Sequence, residues 1–288
     1  MYAPVKLACI QMQAEAGNLQ GNLEKAERMC LEACENGANL MILPEVFNVG
    51  SSIYDRVSAY ACAETIPDGP TVRMMKKVSE EKQVWLCGSL IERDGVNLYN
   101  TAVLTGPAGL IGIYRKLHLC GNETLYFEPG DRGIPVFHTE LGRIAMLICL
   151  DAYYPETFRI AALQGADIIL VPFNSEDAHE KRRMPEGCHT ALTVLCQAAA
   201  VSNHIFVVGC DRTGKSGSYL SAGQSIIANP WGMPEVPIAP FDRETILYAQ
   251  IDLSESRRKN INPCNNRLGD RRIDVYSRTL GYVPEKYQ

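Results

Sequence analysis

The stretch Gly142-Arg143-Ile144-Ala145-Met146-Leu147-Ile148-Cys149-Leu150-Asp151-Ala152-Tyr153-Tyr154-Pro155-Glu156 decides how the chain is read. Residues 144–148 are an apolar run of strand length. The run stops at a cysteine, an aspartate follows, and Pro155 stands where a new helix begins. Proline is favoured at the first helical position because its missing N–H has no partner there anyway. The stretch therefore reads as strand, tight turn, helix, with Cys149 at the turn. A thiol so placed faces backbone N–H groups and the positive end of a helix dipole, which predicts a lowered pKa and a better nucleophile. Taken alone, Cys149 also fits the role of a buried apolar thiol.

Outward from this stretch the same grammar repeats. Residues 5–11 and 40–43 read as buried strands, with a helix between them capped by Asn22 and closed by Gly37. A turn at Pro67-Asp68-Gly69-Pro70 leads into a helix capped by Thr71 and running to about Lys82. Residues 84–90 read as a strand, and 98–104 with 110–114 as a hairpin around Gly106-Pro107-Ala108-Gly109. On the other side of Cys149 come a helix from Pro155 to about Gln164 and a strand over 168–171. A long helix over roughly 186–202 follows, then strands over 205–210, 223–227 and 246–251. The segments Gly37-Ala38-Asn39-Leu40-Met41-Ile42-Leu43-Pro44 and Gly165-Ala166-Asp167-Ile168-Ile169-Leu170-Val171-Pro172 share one pattern. It fits a fold of two similar halves. Apolar strands alternating with helices give an α/β class with helix-covered sheets, made mixed by the hairpins. No composition shift marks a boundary, so residues 1–288 are expected to form a single domain.

Composition narrows the function. The 288 residues are 46% hydrophobic and 21% charged, with a formal net charge of -5. That balance argues against nucleic acid or an anionic membrane as the main partner, since both need a basic face. The 11 cysteines are odd in number and lack C-x-x-C pairs. Several sit inside apolar patterns, which points to reduced thiols in a cytoplasmic protein and away from a redox or metal protein. His179 and His189 are not at metal-ligand spacing with any Cys or carboxylate cluster. The N-terminus has no apolar signal segment, and no run is long enough to span a bilayer.

Two further residues join Cys149. Glu45 follows a buried strand and a proline, at the carboxyl end where α/β sheets hold their ligands. Lys116 lies in Tyr114-Arg115-Lys116-Leu117-His118-Leu119, just after the second hairpin strand. Each alone also fits a solvated loop charge. Together with Phe127-Glu128-Pro129-Gly130-Asp131, Cys149-Leu150-Asp151, Gly223-Gln224-Ser225, Pro230-Trp231-Gly232 and Asp270-Arg271-Arg272, they resemble the nitrilase superfamily of carbon–nitrogen hydrolases over nearly the whole chain. The resemblance implies a four-layer α-β-β-α sandwich with two mixed sheets, a Glu45-Lys116-Cys149 triad, no metal and no organic cofactor. It also implies a homodimer or larger homo-oligomer, with the basic tail (residues 255–288) packing at a subunit interface. Glu45 is then the general base, Lys116 the cationic stabiliser and Cys149 the nucleophile, with the Leu150 N–H at the oxyanion. Glu45 beside Lys116 feels opposing effects on its pKa, burial raising it and the ammonium lowering it. Glu123 falls where many members have a second glutamate, expected to orient Lys116 or the substrate; its rival Glu128 is expected on the outside of a turn.

The chain also departs from the pattern. Leu150 stands where an aromatic residue usually follows the nucleophile. Ala152 and Tyr153 stand where relatives that hydrolyse N-carbamoyl amino acids carry arginines for the substrate carboxylate. Ala199-Ala200-Val201-Ser202-Asn203 lacks the Arg and Glu of the usual Arg-Ala-x-Glu-Asn element, which removes that ion pair. The polar segment from Asn174 to Arg183 follows a strand end and either lines the substrate mouth or forms a solvated loop or subunit contact. The expected activity is cleavage of a small linear amide to ammonia and a carboxylic acid. N-carbamoyl amino acid or amine hydrolysis and nitrile hydrolysis remain open on the same triad. So does a catalytically silent binding or assembly protein of the same fold.

Overall fold

The computed structural model describes residues 4–50, 53, 55–175, 189–216 and 219–281. The first half runs β1 (Val5–Gln11), α1 (Leu19–Glu35), β2 (Leu40–Ile42), α2 (Arg56–Cys62), α3 (Pro70–Lys82), β3 (Trp85–Asp94), β4 (Asn97–Gly106) and β5 (Gly109–Arg115). The second runs β6 (Val136–His138), β7 (Arg143–Met146), α4 (Pro155–Leu163), β8 (Ile168–Pro172), α5 (Ala191–Asn203) and β9 (Phe206–Cys210). A short ladder, β10 (Lys215–Ser216) with β11 (Tyr219–Leu220), precedes β12 (Ile226–Ala228) and β13 (Thr245–Ile251). The chain continues through β14 (Asn260–Asn262), β15 (Asn265–Asn266) and α6 (Ile273–Thr279).

Two mixed sheets result. The first has strand order β13-β1-β2-β3-β4-β5, the second β12-β9-β8-β7-β6. Each is built on three parallel neighbours, β1-β2-β3 and β7-β8-β9, flanked by antiparallel strands. The two Gly-Ala-Asn/Asp segments noted in the sequence lead into β2 and β8, the middle strand of each triplet. That is the two-halves pattern in three dimensions.

Alternation along β1 shows how the layers stack. Leu7 and Cys9 point into a core shared with β7, β8 and β9; Ala8 and Ile10 point into another, with Ala26 and Cys30 of α1 and Met75 and Val78 of α3. Successive strand side chains face opposite sides of a sheet, so β1 separates helices from the second sheet. Phe158 and Ala161 of α4 and Cys196 and Ala200 of α5 cover the outer face of that sheet. The order is helix, sheet, sheet, helix, the expected four layers. Among the described residues, no helix is long and apolar enough to cross a membrane.

Several local readings need correction. The cap of α1 is Asn18, whose side chain accepts from the Gly21 N–H at 3.0 Å. Asn22 is buried and instead ties the helix to the carbonyls of Glu15 and Asn48. The cap of α3 is Gly69, with Pro70 at the first turn; Thr71 is buried and bonds Glu64. The hairpin strands β3 and β4 extend to Asp94 and from Asn97, because a ladder tolerates Glu92 and Arg93 once they have partners. The tail carries the helix α6, whose short run shows little periodicity. The described part of α5 starts at Ala191, capped by Thr190; residues 176–188, which include the expected helix start and His179, lie outside the described residues.

The beginning of the basic tail packs on its own chain. Arg257 pairs with the buried Asp167, also held by Arg143. Lys259 donates to the carbonyls of Asn203 and His204 at the end of α5 (3.1 and 2.9 Å). A cation is favourable there, where helix carbonyls lack partners.

Candidate active site

The carboxyl ends of β2, β7 and β8 open into a cavity of about 590 Å³, lined also by the segment after β5. Glu45 reaches it three residues past β2, its backbone N–H donating to the Phe173 carbonyl beyond β8 (3.1 Å). Lys116 follows β5 directly. Its backbone N–H donates to the Asn100 carbonyl of β4 at 2.9 Å, and its own carbonyl accepts from Gly130 N–H at 2.8 Å. Gly130 is needed at that approach, since a Cβ there would lie 2.1 Å from the Arg115 carbonyl oxygen. Arg115 anchors the strap by pairing with Glu92, Asp94 and Asp131. The Phe127-Glu128-Pro129-Gly130-Asp131 element is thus a buckle over the Lys116 backbone.

Cys149 opens a 3₁₀ turn, Cys149–Tyr153, between β7 and α4. Its φ is 45°, in the left-handed region. A non-glycine residue there is disfavoured by about 1–2 kcal/mol, so neighbouring bonds must hold it. Asp151 does so from both sides. Its N–H donates to the Ile148 carbonyl (3.0 Å), and its Oδ2 accepts from the Ile148 N–H (3.0 Å).

Inside the cavity the charges are close and dry. Lys116 Nζ lies 2.8 Å from Glu45 Oε1 and 2.8 Å from Glu123 Oε2. Asn100 Nδ2 donates to Glu45 Oε1 at 2.7 Å and to Glu123 Oε1 at 3.3 Å. The Cys120 N–H donates to Glu123 Oε2 at 2.7 Å. Cys149 lines the same cavity, close enough to the Glu45 carboxylate and the Asn174 backbone N–H for both to act on its pKa. Glu45 is 3% exposed and Lys116 1% exposed, which removes the solvated-loop reading for both.

Burial pushes the Glu45 carboxyl above its ordinary range; the Lys116 ammonium pulls the other way but does not win, and Glu123 adds to the rise. Burial alone would lower Lys116. The facing charges of Glu45, Cys149 and Glu123 outweigh it and hold the ammonium well above its usual value. Cys149 overturns the sequence expectation. Burial, then the Glu45 carboxylate, raises its thiol pKa well above the ordinary value, against the lowering by Lys116 and the Asn174 N–H. The turn after Cys149 is one short 3₁₀ segment, with little dipole to offset that burial.

Residues 6–260 match the sequence profile of the carbon–nitrogen hydrolase family. The chain belongs to that family. A nitrilase from Pyrococcus abyssi is 36% identical over 274 residues, covering 95% of this chain and 100% of the relative. An N-carbamoylputrescine amidase from Arabidopsis thaliana is 30% identical over 279 residues, covering 90% of each. Among solved structures, an amidase from Nesterenkonia sp. superposes with a TM-score of 0.81, at 24% identity and 96% coverage of both chains. That last likeness speaks to the fold.

In this carbon–nitrogen hydrolase, Glu45, Lys116, Glu123, Cys149, Leu150, Tyr153 and Asn174 all line the one cavity. Tyr153 is 47% exposed, at the rim. Glu128 lies outside, paired with Arg56. Sequence reasoning missed Asn100, which touches both carboxylates. Its signal was present as an amide inside the apolar strand pattern Leu98-Tyr99-Asn100, because a buried amide needs partners. It also missed Ser175, a lining residue bonded to Asp211. Asp211 is fully buried, and burial raises its carboxyl to about 7.

Proposed function

We propose that this chain is a thiol amidohydrolase that cleaves the C–N bond of a small linear amide through a Cys149 thioester, releasing ammonia and a carboxylic acid. The observation that supports this most directly is Lys116 Nζ at 2.8 Å from both Glu45 and Glu123, with Cys149 lining the same cavity. Each step has a residue in reach. The Cys149 sulfur attacks the amide carbon as its proton passes to Glu45. The carbonyl electrons become an oxyanion, held by the Lys116 ammonium and the Leu150 N–H. The oxyanion collapses, the C–N bond breaks, and Glu45 returns its proton to the leaving nitrogen. Water then gives a proton to Glu45 and its oxygen to the thioester; the C–S bond breaks and sulfur recovers the proton. Glu123 and Asn100 keep Lys116 and Glu45 oriented, Asn174 holds the sulfur, and Tyr153 forms the rim.

A second reading, N-carbamoyl hydrolysis with loss of carbon dioxide, uses the same steps and is favoured by the N-carbamoylputrescine amidase relative. Among the described lining residues, Lys116 is the only cation, against the carboxylates of Glu45 and Glu123. This favours N-carbamoyl amines over N-carbamoyl amino acids, whose carboxylate needs a cation. Nitriles offer a third substrate for the same thiol. Ammonia release from a panel of simple amides, ω-amides, N-carbamoyl compounds and nitriles, with Cys149→Ala as control, tests the reading. Activity in one group, absent from the variant, supports it. Wild type and variant equally inert across the panel would favour the silent binding protein.

The protein is further proposed to be a homodimer or larger and to reside in the cytoplasm. Exposed apolar side chains on α4 (Ile160, Leu163), α5 (Val194, Val201) and α6 (Ile273, Val275) support association. The described cysteines form no disulfide with one another, which supports a reducing compartment. Light scattering showing a monomer at working concentration would refute the first proposal. Fractionation of the native cells, with the protein outside the soluble cytoplasmic fraction, would refute the second.

A further inference from the structure

One fully buried carboxylate, Asp151, holds both the turn that carries Cys149 and the segment that carries Lys116. Its Oδ2 accepts from the Ile148 N–H at 3.0 Å, one residue before Cys149, and from the Tyr114 hydroxyl at 2.7 Å, two residues before Lys116. Its Oδ1 accepts from the His118 N–H at 3.0 Å and meets the His118 Nδ1 at 2.8 Å, two residues after Lys116. The His118 ring stacks on Tyr154, in the turn that follows, with centroids 3.7 Å apart. Lys116 is thus bracketed on both sides by groups bonded to the carboxylate that also pins the strained backbone of Cys149.

We infer that Asp151 is a positioning residue, setting the distance between the Cys149 sulfur and the Lys116 ammonium without touching substrate itself; this rests on the proposed roles of those two residues. The demand on it is chemically strict. Each carboxylate oxygen faces one backbone N–H, Ile148 on one side and His118 on the other. Backbone N–H groups only donate, so both oxygens must accept. An amide in place of the carboxylate turns its NH₂ toward one of those N–H groups in either orientation. Asp151→Asn therefore keeps the volume and removes the tie, loosening either the cysteine turn or the lysine segment.

The test uses the full chain with two readouts. One is kcat and KM on the fastest amide of the panel. The other is the rate at which iodoacetamide alkylates Cys149, followed by mass spectrometry of its peptide, which needs no substrate and so survives a wrong substrate assignment. For Asp151→Asn that melts within a few degrees of wild type, kcat falls roughly 10²-fold with KM nearly unchanged, the size expected for a misplacement of about 1 Å. Cys149 alkylation slows with it. A folded Asp151→Asn with wild-type kcat and alkylation rate overturns the inference, as does a fall in stability alone. Should that variant fail to fold, the double variant Tyr114→Phe with His118→Ala keeps the carboxylate and both backbone bonds while removing the two side-chain ties. Its kcat then falls about tenfold, as expected for a smaller misplacement; wild-type kcat in that variant overturns the inference too.

Discussion

Lys116→Met is the sharpest perturbation of the proposed chemistry, because the lysine is 1% exposed and serves three groups at once. Methionine fills a similar volume without charge. At 2.8 Å and an effective dielectric of about 20, each lysine–carboxylate attraction is on the order of 6 kcal/mol before desolvation is subtracted. Removing one partner of such a buried set costs about 3–5 kcal/mol net, because the remaining charges are left unpaired. In the variant Glu45 and Glu123 face each other without a cation, so the Glu45 carboxyl rises further. A group whose folded pKa lies above its unfolded one stabilises fully below the unfolded pKa and loses that contribution as pH rises through the folded value. Lys116→Met is therefore least stable relative to wild type near pH 8, and the gap narrows toward pH 4. For catalysis the proposed oxyanion loses a donor, worth about 10²–10³ in kcat. Glu45 also becomes a protonated acid where a base is needed, so kcat/KM falls at least about 10³-fold, roughly 4 kcal/mol. The assay is ammonia release at fixed pH, paired with denaturant melts at pH 5 and 8. A folded variant within tenfold of wild-type kcat/KM would show that Lys116 is not the stabilising cation.

The raised Glu45 carboxyl predicts an acid limb of kcat/KM above the ordinary glutamate value of about 4.3; a profile flat down to pH 4 excludes Glu45 as the base. Gly130→Ala puts a Cβ 2.1 Å from the Arg115 carbonyl oxygen, so the buckle must open. Denaturant unfolding should show a loss of about 1–3 kcal/mol with a matching fall in kcat, whereas a silent variant refutes the buckle. Arg257→Ala removes a partner of Asp167, whose carboxyl the Arg257 and Arg143 guanidiniums hold below its usual range despite burial. A depressed carboxylate stabilises above its unfolded pKa and loses that contribution as pH falls. Thermal melts should therefore separate variant from wild type at pH 7 and converge below pH 4; a gap that persists there assigns the loss to packing.

The parts legible in the sequence are those set by local pattern. Residues 5–11 read as a short buried strand because Leu7-Ala8-Cys9-Ile10 is a continuous apolar run, and the strand is β1 to the residue. Glu45, Lys116 and Cys149 stood out because each follows the carboxyl end of an apolar run. The cap of α1 was misplaced by one turn, because Leu19, four residues before Leu23 and packed on the same core, already belongs to the apolar stripe, and Asn18 is the residue that precedes it. Asn100 and Asp151 were illegible as site residues for another reason. Their partners Glu45 and Tyr114 are 55 and 37 residues away in sequence, Glu45 past a strand two places along the sheet from that of Asn100, and Tyr114 in the opposite sheet from the strand before Asp151. Sequence spacing reports neighbours along an element, not neighbours across a fold.

The thiol shows where local reasoning fails most instructively. A cysteine at a strand-to-helix turn invites a thiolate, since turn N–H groups and a helix terminus favour negative charge. That expectation counts one neighbourhood. The cavity adds two carboxylates, so a Cys149 thiolate would be the third anion around the single ammonium of Lys116. With both Glu45 and Cys149 raised by burial, retaining one proton between the two leaves two anions on one cation instead of three. In the proposed reaction, deprotonation waits for a bound carbonyl, when the negative charge leaves sulfur for an oxygen that meets Lys116 and the Leu150 N–H. An environment hostile to the free thiolate but favourable to the oxyanion stabilises the transition state over the ground state, which is the condition for raising kcat.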